Sequence, residues 1–255
     1  METIKKTTSQ IGSSLSTRIA TNEKLGSANL NDWILKFVFP VRDKKILDVG
    51  CGTGRQIEAF IPELGHGEIV GVDVSEECID TARKRISDSR VRLVIGDMLN
   101  IDSLAEKNYF DIVISTYALY YSGNVAKTLQ DMKQALKPDG KLVIVGPHGD
   151  NNREFFELID FMALPPKVLD STTTFMDETV MPFCRKHFAN VKTDYFTNTV
   201  RFPTKQTLVD YWKSNIYHQD RYDHIFDERA DSHFKANHEF IVHKKAMAIS
   251  CSVKK

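Results

Sequence analysis

The sequence predicts an α/β fold: a doubly wound, mostly parallel sheet flanked by helices, with a helical cap insertion towards the carboxyl end. Three observations carry this. From about residue 44, short apolar runs alternate with helical periods, the pattern of successive strand–helix–strand units. The first run passes straight into a glycine-rich turn, Gly50-Cys51-Gly52-Thr53-Gly54. Acids, Asp73 and Asp97, then follow the second and third runs, at the edge where an open parallel sheet gathers its ligand contacts.

Taken in order, the runs are Lys45 to Val49, Ile69 to Asp73, Val91 to Ile95, Phe110 to Ile114 and Lys141 to Val145. Between the second and third, Ile79, Ala82 and Ile86 share a helical face; between the fourth and fifth, Val125, Leu129, Met132 and Leu136 do the same. Lys137-Pro138-Asp139-Gly140 reads as the turn that closes the second of these helices and starts the fifth strand. After Gly146 the texture changes. A helix is expected over 152–163, ended by Pro165-Pro166, and then a loop over 167–182. Alternation returns at Val191 to Phe202 and Phe240 to Val253, giving two late strands. Between them, 204–238 reads as a mostly helical cap over the sheet, with Leu208, Tyr211, Trp212, Ile216 and Tyr217 as its apolar side.

Charge and cysteine content narrow the function classes. The 34 basic and 34 acidic residues cancel, which disfavours partners bound through bulk positive charge, such as nucleic acid or an anionic membrane. The four cysteines, Cys51, Cys78, Cys184 and Cys251, form no CxxC pair, so a zinc ribbon or disulfide framework is not indicated and a reducing, cytoplasmic setting fits. No apolar run is long enough to span a bilayer. Residues 1–25, rich in Ser, Thr and Lys up to Arg18, read as a flexible lead segment outside the core of a single domain.

The chemistry is concentrated in Ile46-Leu47-Asp48-Val49-Gly50-Cys51-Gly52-Thr53-Gly54. Glycine is needed where the backbone takes a positive φ or comes into contact with a ligand. Asp48, ahead of the turn, disfavours a pyrophosphate and suits a cationic group such as a sulfonium or an ammonium. Asp73, ending the second strand before Val74, is placed to accept the hydroxyls of a ribose, while Ser75 takes the capping of the next helix. Asp97 can accept from an exocyclic adenine amine, with Met98 packing on the ring.

These motifs, in this order, resemble the class I S-adenosylmethionine-dependent methyltransferases of the small-molecule type, and the resemblance covers residues 44–146. It implies a Rossmann-like sheet of seven strands, the last antiparallel, with S-adenosylmethionine as methyl donor. It implies a cofactor-binding half over 30–146 and a substrate half over 147–255. By the resemblance, Asp48 sits near the methionine amino group, and Gly50, Cys51, Gly52, Thr53 and Gly54 back the methionine and ribose. Asp73 with Val74 holds the ribose, Asp97 with Met98 holds adenine, and Ser115, ending the fourth strand, lies near the methionine moiety.

No catalytic dyad is evident, and methyl transfer from a sulfonium needs none unless the acceptor must lose a proton. Tyr120 and Tyr121, after the fourth strand, could face the transferred methyl or pack under a helix; His148, after the fifth, could be a general base. Asp111, at the start of the fourth strand, reads as structural. Five histidines between His218 and His243 lack a metal-ligand spacing, so no metal is expected. The expected partner is a small-molecule acceptor, O- or N-methylated. A protein or RNA methyltransferase, a non-catalytic cofactor-binding partner subunit and a nicotinamide-dependent oxidoreductase stay open as alternatives.

Overall fold

The computed structural model describes residues 8–159, 174–215 and 218–253. Seven strands, β1 (Lys45–Val49), β2 (Glu68–Asp73), β3 (Val91–Ile95), β4 (Phe110–Thr116), β5 (Leu136–Pro147), β6 (Phe188–Phe202) and β7 (Phe240–Val253), form one sheet in the order β3-β2-β1-β4-β5-β7-β6. Pairing among β1 to β5 is parallel, and β7 lies antiparallel between β5 and β6, as expected of the last strand. The strand order reverses between β1 and β4, and at such a point an open sheet leaves a crevice beyond its carboxyl ends.

Side-chain alternation along the strands builds a core on each face. Ile46, Ile112, Ile114 and Val143 pack with α2 (Leu30–Val38) and α3 (Arg55–Phe60), through Trp33, Ile34, Ile57 and Phe60. Leu47, Val113, Leu142 and Ile144 pack on the other face with α6 (Val125–Ala135), through Leu129 and Met132, and with Cys184 of α8 (Met181–His187). In α4 (Glu76–Arg85), Cys78, Ile79 and Ala82 are buried and Ser75 accepts the Cys78 N–H at 3.3 Å, so the expected cap and stripe are both present. A one-turn helix, α5 (Ile101–Leu104), precedes β4.

The Lys137–Gly140 turn takes a different form from the expected one. The helix ends at Ala135, and Leu136 already pairs with Phe110 while Lys141 pairs with Ile112, so 137–140 bulges out opposite Asp111. Asp111 fixes this bulge: its Oδ2 accepts from Lys137 Nζ and from the Lys45 N–H, both at 2.9 Å. The structural reading of Asp111 is therefore met.

The β6–β7 hairpin reaches past the carboxyl end of β5. Pairing of β5 with β7 stops at Pro147 opposite Ala246, whereas β6 and β7 continue to Phe202 opposite Phe240. The insertion carried there, with α9 (Lys205–Ser214) and α10 (Asp223–Ala236), therefore stands beyond the carboxyl end of β5. Its own core joins Leu208, Trp212 and Phe226 to Val200, Val242 and to Phe155 of α7 (Arg153–Glu157). Of the expected apolar side of the cap, Ile216 and Tyr217 lie outside the described residues, as do Pro165-Pro166 and the first part, 167–173, of the expected 167–182 loop. Described from Thr174, that stretch is a π-helical turn, Phe175–Val180, running into α8 instead of a loop.

The lead segment is corrected from residue 8 onward. Thr8–Leu25 is a helix, α1. Leu15, Arg18, Ile19, Asn22 and Leu25 are all half-buried at helical spacing, a mixed apolar and polar stripe that composition alone conceals. Glu23 pairs with Arg55 at the start of α3, and the Asn22 carbonyl accepts from Asn198 Nδ2 at 3.4 Å. The helix thus lies between the glycine turn and the far hairpin. Among the described residues no helix is long and apolar enough to cross a membrane.

Candidate active site

The three glycines of the turn all take positive φ, at 78°, 52° and 78° for Gly50, Gly52 and Gly54, but their surroundings differ. A Cβ on Gly50 would lie 2.2 Å from the Ala118 Cβ, and one on Gly54 would lie 2.7 Å from Ile86 Cδ1. Those two glycines let the turn pack against the loop after β4 and against α4. A Cβ on Gly52 would meet nothing within 4 Å. Gly52 is the position that faces open space at the crevice.

Asp73 shapes this turn as well as standing beside it. Its Oδ2 accepts the Gly52 N–H at 2.8 Å and its Oδ1 accepts the Ser75 N–H at 2.9 Å. Each carboxylate oxygen keeps a second lone pair for a ligand hydroxyl. Asp97 is exposed, with Oδ1 accepting the Leu99 N–H at 2.9 Å. Met98 reaches the turn, its Cε 3.8 Å from where a Gly50 Cβ would be. Val74, 69% exposed, and Ile95, 44% exposed, are large apolar residues left uncovered at the ends of β2 and β3.

Asp48 is fully buried, and neither carboxylate oxygen has a hydrogen-bond partner. Burial, and then the nearby charge of Asp73, push its carboxyl up to about 7. A buried acid without donors is costly unless a cation is brought to it. Three features therefore suit a cationic, nucleoside-bearing cofactor: an orphaned carboxylate, an open glycine and acids at the ends of β2 and β3.

Other expected site residues take structural duties. Ser115 is buried, and its hydroxyl donates to the Val49 carbonyl at 2.8 Å, which ties β4 to β1 within the sheet and withdraws the hydroxyl from the crevice. Cys51 is buried beneath the turn, and burial pushes its thiol well up. Thr53 is likewise buried. Tyr120 and Tyr121 touch at 4.6 Å between ring centroids; Tyr120 also meets Phe175 edge-on, while Tyr121 is 62% exposed and so is not a packing residue. His148 lies with Nδ1 3.0 Å from Asp177 Oδ2 and its ring against Tyr195.

One residue of the stretch after β4, expected as a whole beside the transferred methyl, is not singled out by the sequence. Tyr117 holds a left-handed backbone, φ 54°, with its N–H donating to the Val145 carbonyl at 2.8 Å. A bulky residue held at positive φ is unusual and such strain gathers at functional sites. Burial, and then Tyr211 of the cap, push its phenol upward. Nothing in the sequence signals a positive φ at a tyrosine.

The histidine-rich stretch contributes a lock. Asp223 Oδ1 accepts from Trp212 Nε1 at 2.7 Å and contacts His218 Nε2 at 2.8 Å, joining α9 to α10. Asp220 completes a group of three potential metal ligands, but its side chain is 97% exposed and Asp223 is already engaged.

Comparison with known proteins agrees with this geometry. Residues 40–229 match the family model described as a methyltransferase domain. The chain is 31% identical over 98 residues to a malonyl-[acyl-carrier protein] O-methyltransferase of Priestia megaterium, covering 38% of this chain and 35% of the relative. It is 29% identical over 169 residues to a demethylmenaquinone methyltransferase of Staphylococcus saprophyticus, covering 64% and 66%. The matches thus span about a third to two thirds of these relatives' lengths. Its fold is that of the phosphoethanolamine N-methyltransferase 2 of Haemonchus contortus, solved with S-adenosyl-L-methionine: TM-score 0.57, 20% identity, 88% of this chain and 52% of that one. A glycine turn with one open position, an orphaned acid beneath it and a family match over most of the chain lead to one conclusion: this chain belongs to the class I S-adenosylmethionine-dependent methyltransferases.

Proposed function

We propose that the chain transfers the methyl group of S-adenosylmethionine to a small-molecule acceptor, at oxygen or nitrogen, held between the glycine turn and the cap. The observation that carries this is the buried, unpaired Asp48 carboxylate behind an open Gly52. When bound, S-adenosylmethionine supplies a methyl group on a positively charged sulfur. Asp48 would hold the cationic end of the cofactor, Asp73 the ribose, and Asp97 with Met98 the adenine; Val74 and Ile95 would give up their exposed apolar surface to the ligand. The cap and α1 exclude water and hold the acceptor in line, and alignment alone can supply much of the rate. His148, beside Asp177, is the candidate proton acceptor if the acceptor needs one.

The two relatives carry in their names a malonyl-[acyl-carrier protein] and a demethylmenaquinone, and what passes to this chain is the small-molecule class. A balanced net charge favours it over RNA. Four buried, unpaired cysteines suit a reducing compartment such as the cytoplasm. The test is calorimetric titration with S-adenosylmethionine and then S-adenosylhomocysteine, followed by assay of S-adenosylhomocysteine release with candidate acceptors. Saturable binding of both at one site with turnover is expected; a folded protein that binds neither would overturn the reading.

A further inference from the structure

Strand β7 carries three consecutive basic residues, His243, Lys244 and Lys245, and alternation sends the middle one to the opposite face from its neighbours. The outer two are neutralised: His243 pairs with Glu154, and Lys245 with Asp150. Lys244 has no carboxylate partner among the described residues. Its Nζ donates to Asn152 Oδ1 at 2.9 Å and to the Tyr211 hydroxyl, and it lies 4.9 Å from the centre of the Tyr211 ring. An ammonium carries three protons, so one is left over.

The position of this lysine relates it to the site. Tyr211 is buried in the core of the cap, 3% exposed, and after burial it is the second influence that pushes the Tyr117 phenol upward. The residue after Tyr117, Ala118, is the one against which Gly50 packs. Tyr117 is thus one residue from the Gly50 contact, and Lys244 is joined to Tyr211 by a hydrogen bond. The spare Lys244 proton and the Tyr211 and Tyr117 hydroxyl protons find no acceptor among the described residues. Hydrogen-bond donors gathered without acceptors, with one positive charge and no counter-ion, ask for an anion.

We infer that Lys244, with Tyr211 and Tyr117, forms the subsite for an anionic group of the acceptor, a carboxylate or a phosphate. The inference rests on the methyltransferase reading and deepens it, because it selects acceptors that bear a negative charge away from the methylated atom. The anionic group anchors under the cap, and the nucleophile extends towards the glycine turn. Lys244 is a specificity-determining residue in this scheme and takes no part in bond making.

The test uses the full chain saturated with S-adenosylhomocysteine, titrated with methyl phosphate and separately with acetate at constant ionic strength set by chloride. Saturable binding of at least one anion is expected, and the tighter of the two identifies the acceptor's anionic group. In Lys244→Gln that binding falls at least tenfold while S-adenosylhomocysteine affinity stays as in wild type, and Lys244→Arg retains anion binding within a few fold. If Lys244→Gln does not fold, Tyr211→Phe serves, with a loss of threefold or more expected. Undiminished anion binding in the folded variant, or no anion binding by a wild type that does bind S-adenosylhomocysteine, overturns this inference alone. A wild type that binds no S-adenosylhomocysteine overturns the reading beneath it as well.

Discussion

Asp73 Oδ2 accepts the Gly52 N–H at 2.8 Å, so the acid that ends β2 holds the shape of the turn that ends β1. The same carboxylate has lone pairs left, so the proposed ribose contact would give it a second duty with separable consequences. Asp73→Ala should weaken S-adenosylmethionine binding by about 1 to 3 kcal/mol, for the loss of charge-assisted hydrogen bonds, and should also lower the melting temperature. Asp73→Asn, which keeps one acceptor oxygen, should fall between. Wild-type affinity in Asp73→Ala would remove the ribose assignment.

The glycines of the turn should separate in the same assays. Gly50→Ala places a methyl 2.2 Å from Ala118 Cβ, and overpacking with an unfavourable φ should cost about 2 to 4 kcal/mol of stability. Adding Ala118→Gly should recover part of that loss. Gly52→Val meets no protein atom nearby, so the protein should still fold, at a cost of about 1 to 2 kcal/mol for its φ, yet lose cofactor binding. Melting curves and calorimetry read both; cofactor binding by Gly52→Val would mean that the ligand does not approach there.

Asp48 sets a pH dependence. Its carboxyl is raised to about 7 in the fold, against roughly 3.9 in an unfolded chain. Between those values the folded protein keeps a proton that the unfolded chain has released. The contribution of Asp48 to stability is therefore fullest below about pH 4 and declines as pH rises to about 7. Asp48→Asn should flatten that slope and be more stable than wild type at alkaline pH, by on the order of 2 kcal/mol. A cation brought to Asp48 should expel the proton. Binding of S-adenosylmethionine near pH 6 should release close to one proton, measured from the heat in buffers of different ionisation enthalpy, and Asp48→Asn should release none.

Trp212 and Asp223 lock the cap independently of the cofactor. Asp223→Ala leaves the Trp212 Nε1–H and His218 without their shared acceptor, and a loss of about 1 to 3 kcal/mol is expected. Affinity for S-adenosylmethionine should be unchanged. Added zinc should leave the melting temperature where it was; a rise would revive His218, Asp220 and Asp223 as a metal site.

Much of the cofactor half was legible because its signals are local. A strand needs an apolar run, a tight turn needs glycine and a helix start needs a cap, so Ile46 to Gly54, Ser75 and the β7 range could be read along the chain. The sequence also determined which acids stand after which strands, since strand order in a parallel sheet fixes which ends converge. What only the tertiary structure decided depends on atoms brought together from far apart. Gly50 and Gly54 are packing glycines because Ala118 and Ile86 lie against them, and Ser115 is withdrawn because Val49 offers its carbonyl. The first helix is placed where Glu23 and Asn22 meet Arg55 and Asn198, partners that no periodicity within residues 8–25 announces. Tyr117 takes a strained backbone and Lys244 has no carboxylate partner among the described residues, and neither property exists until the chain has folded.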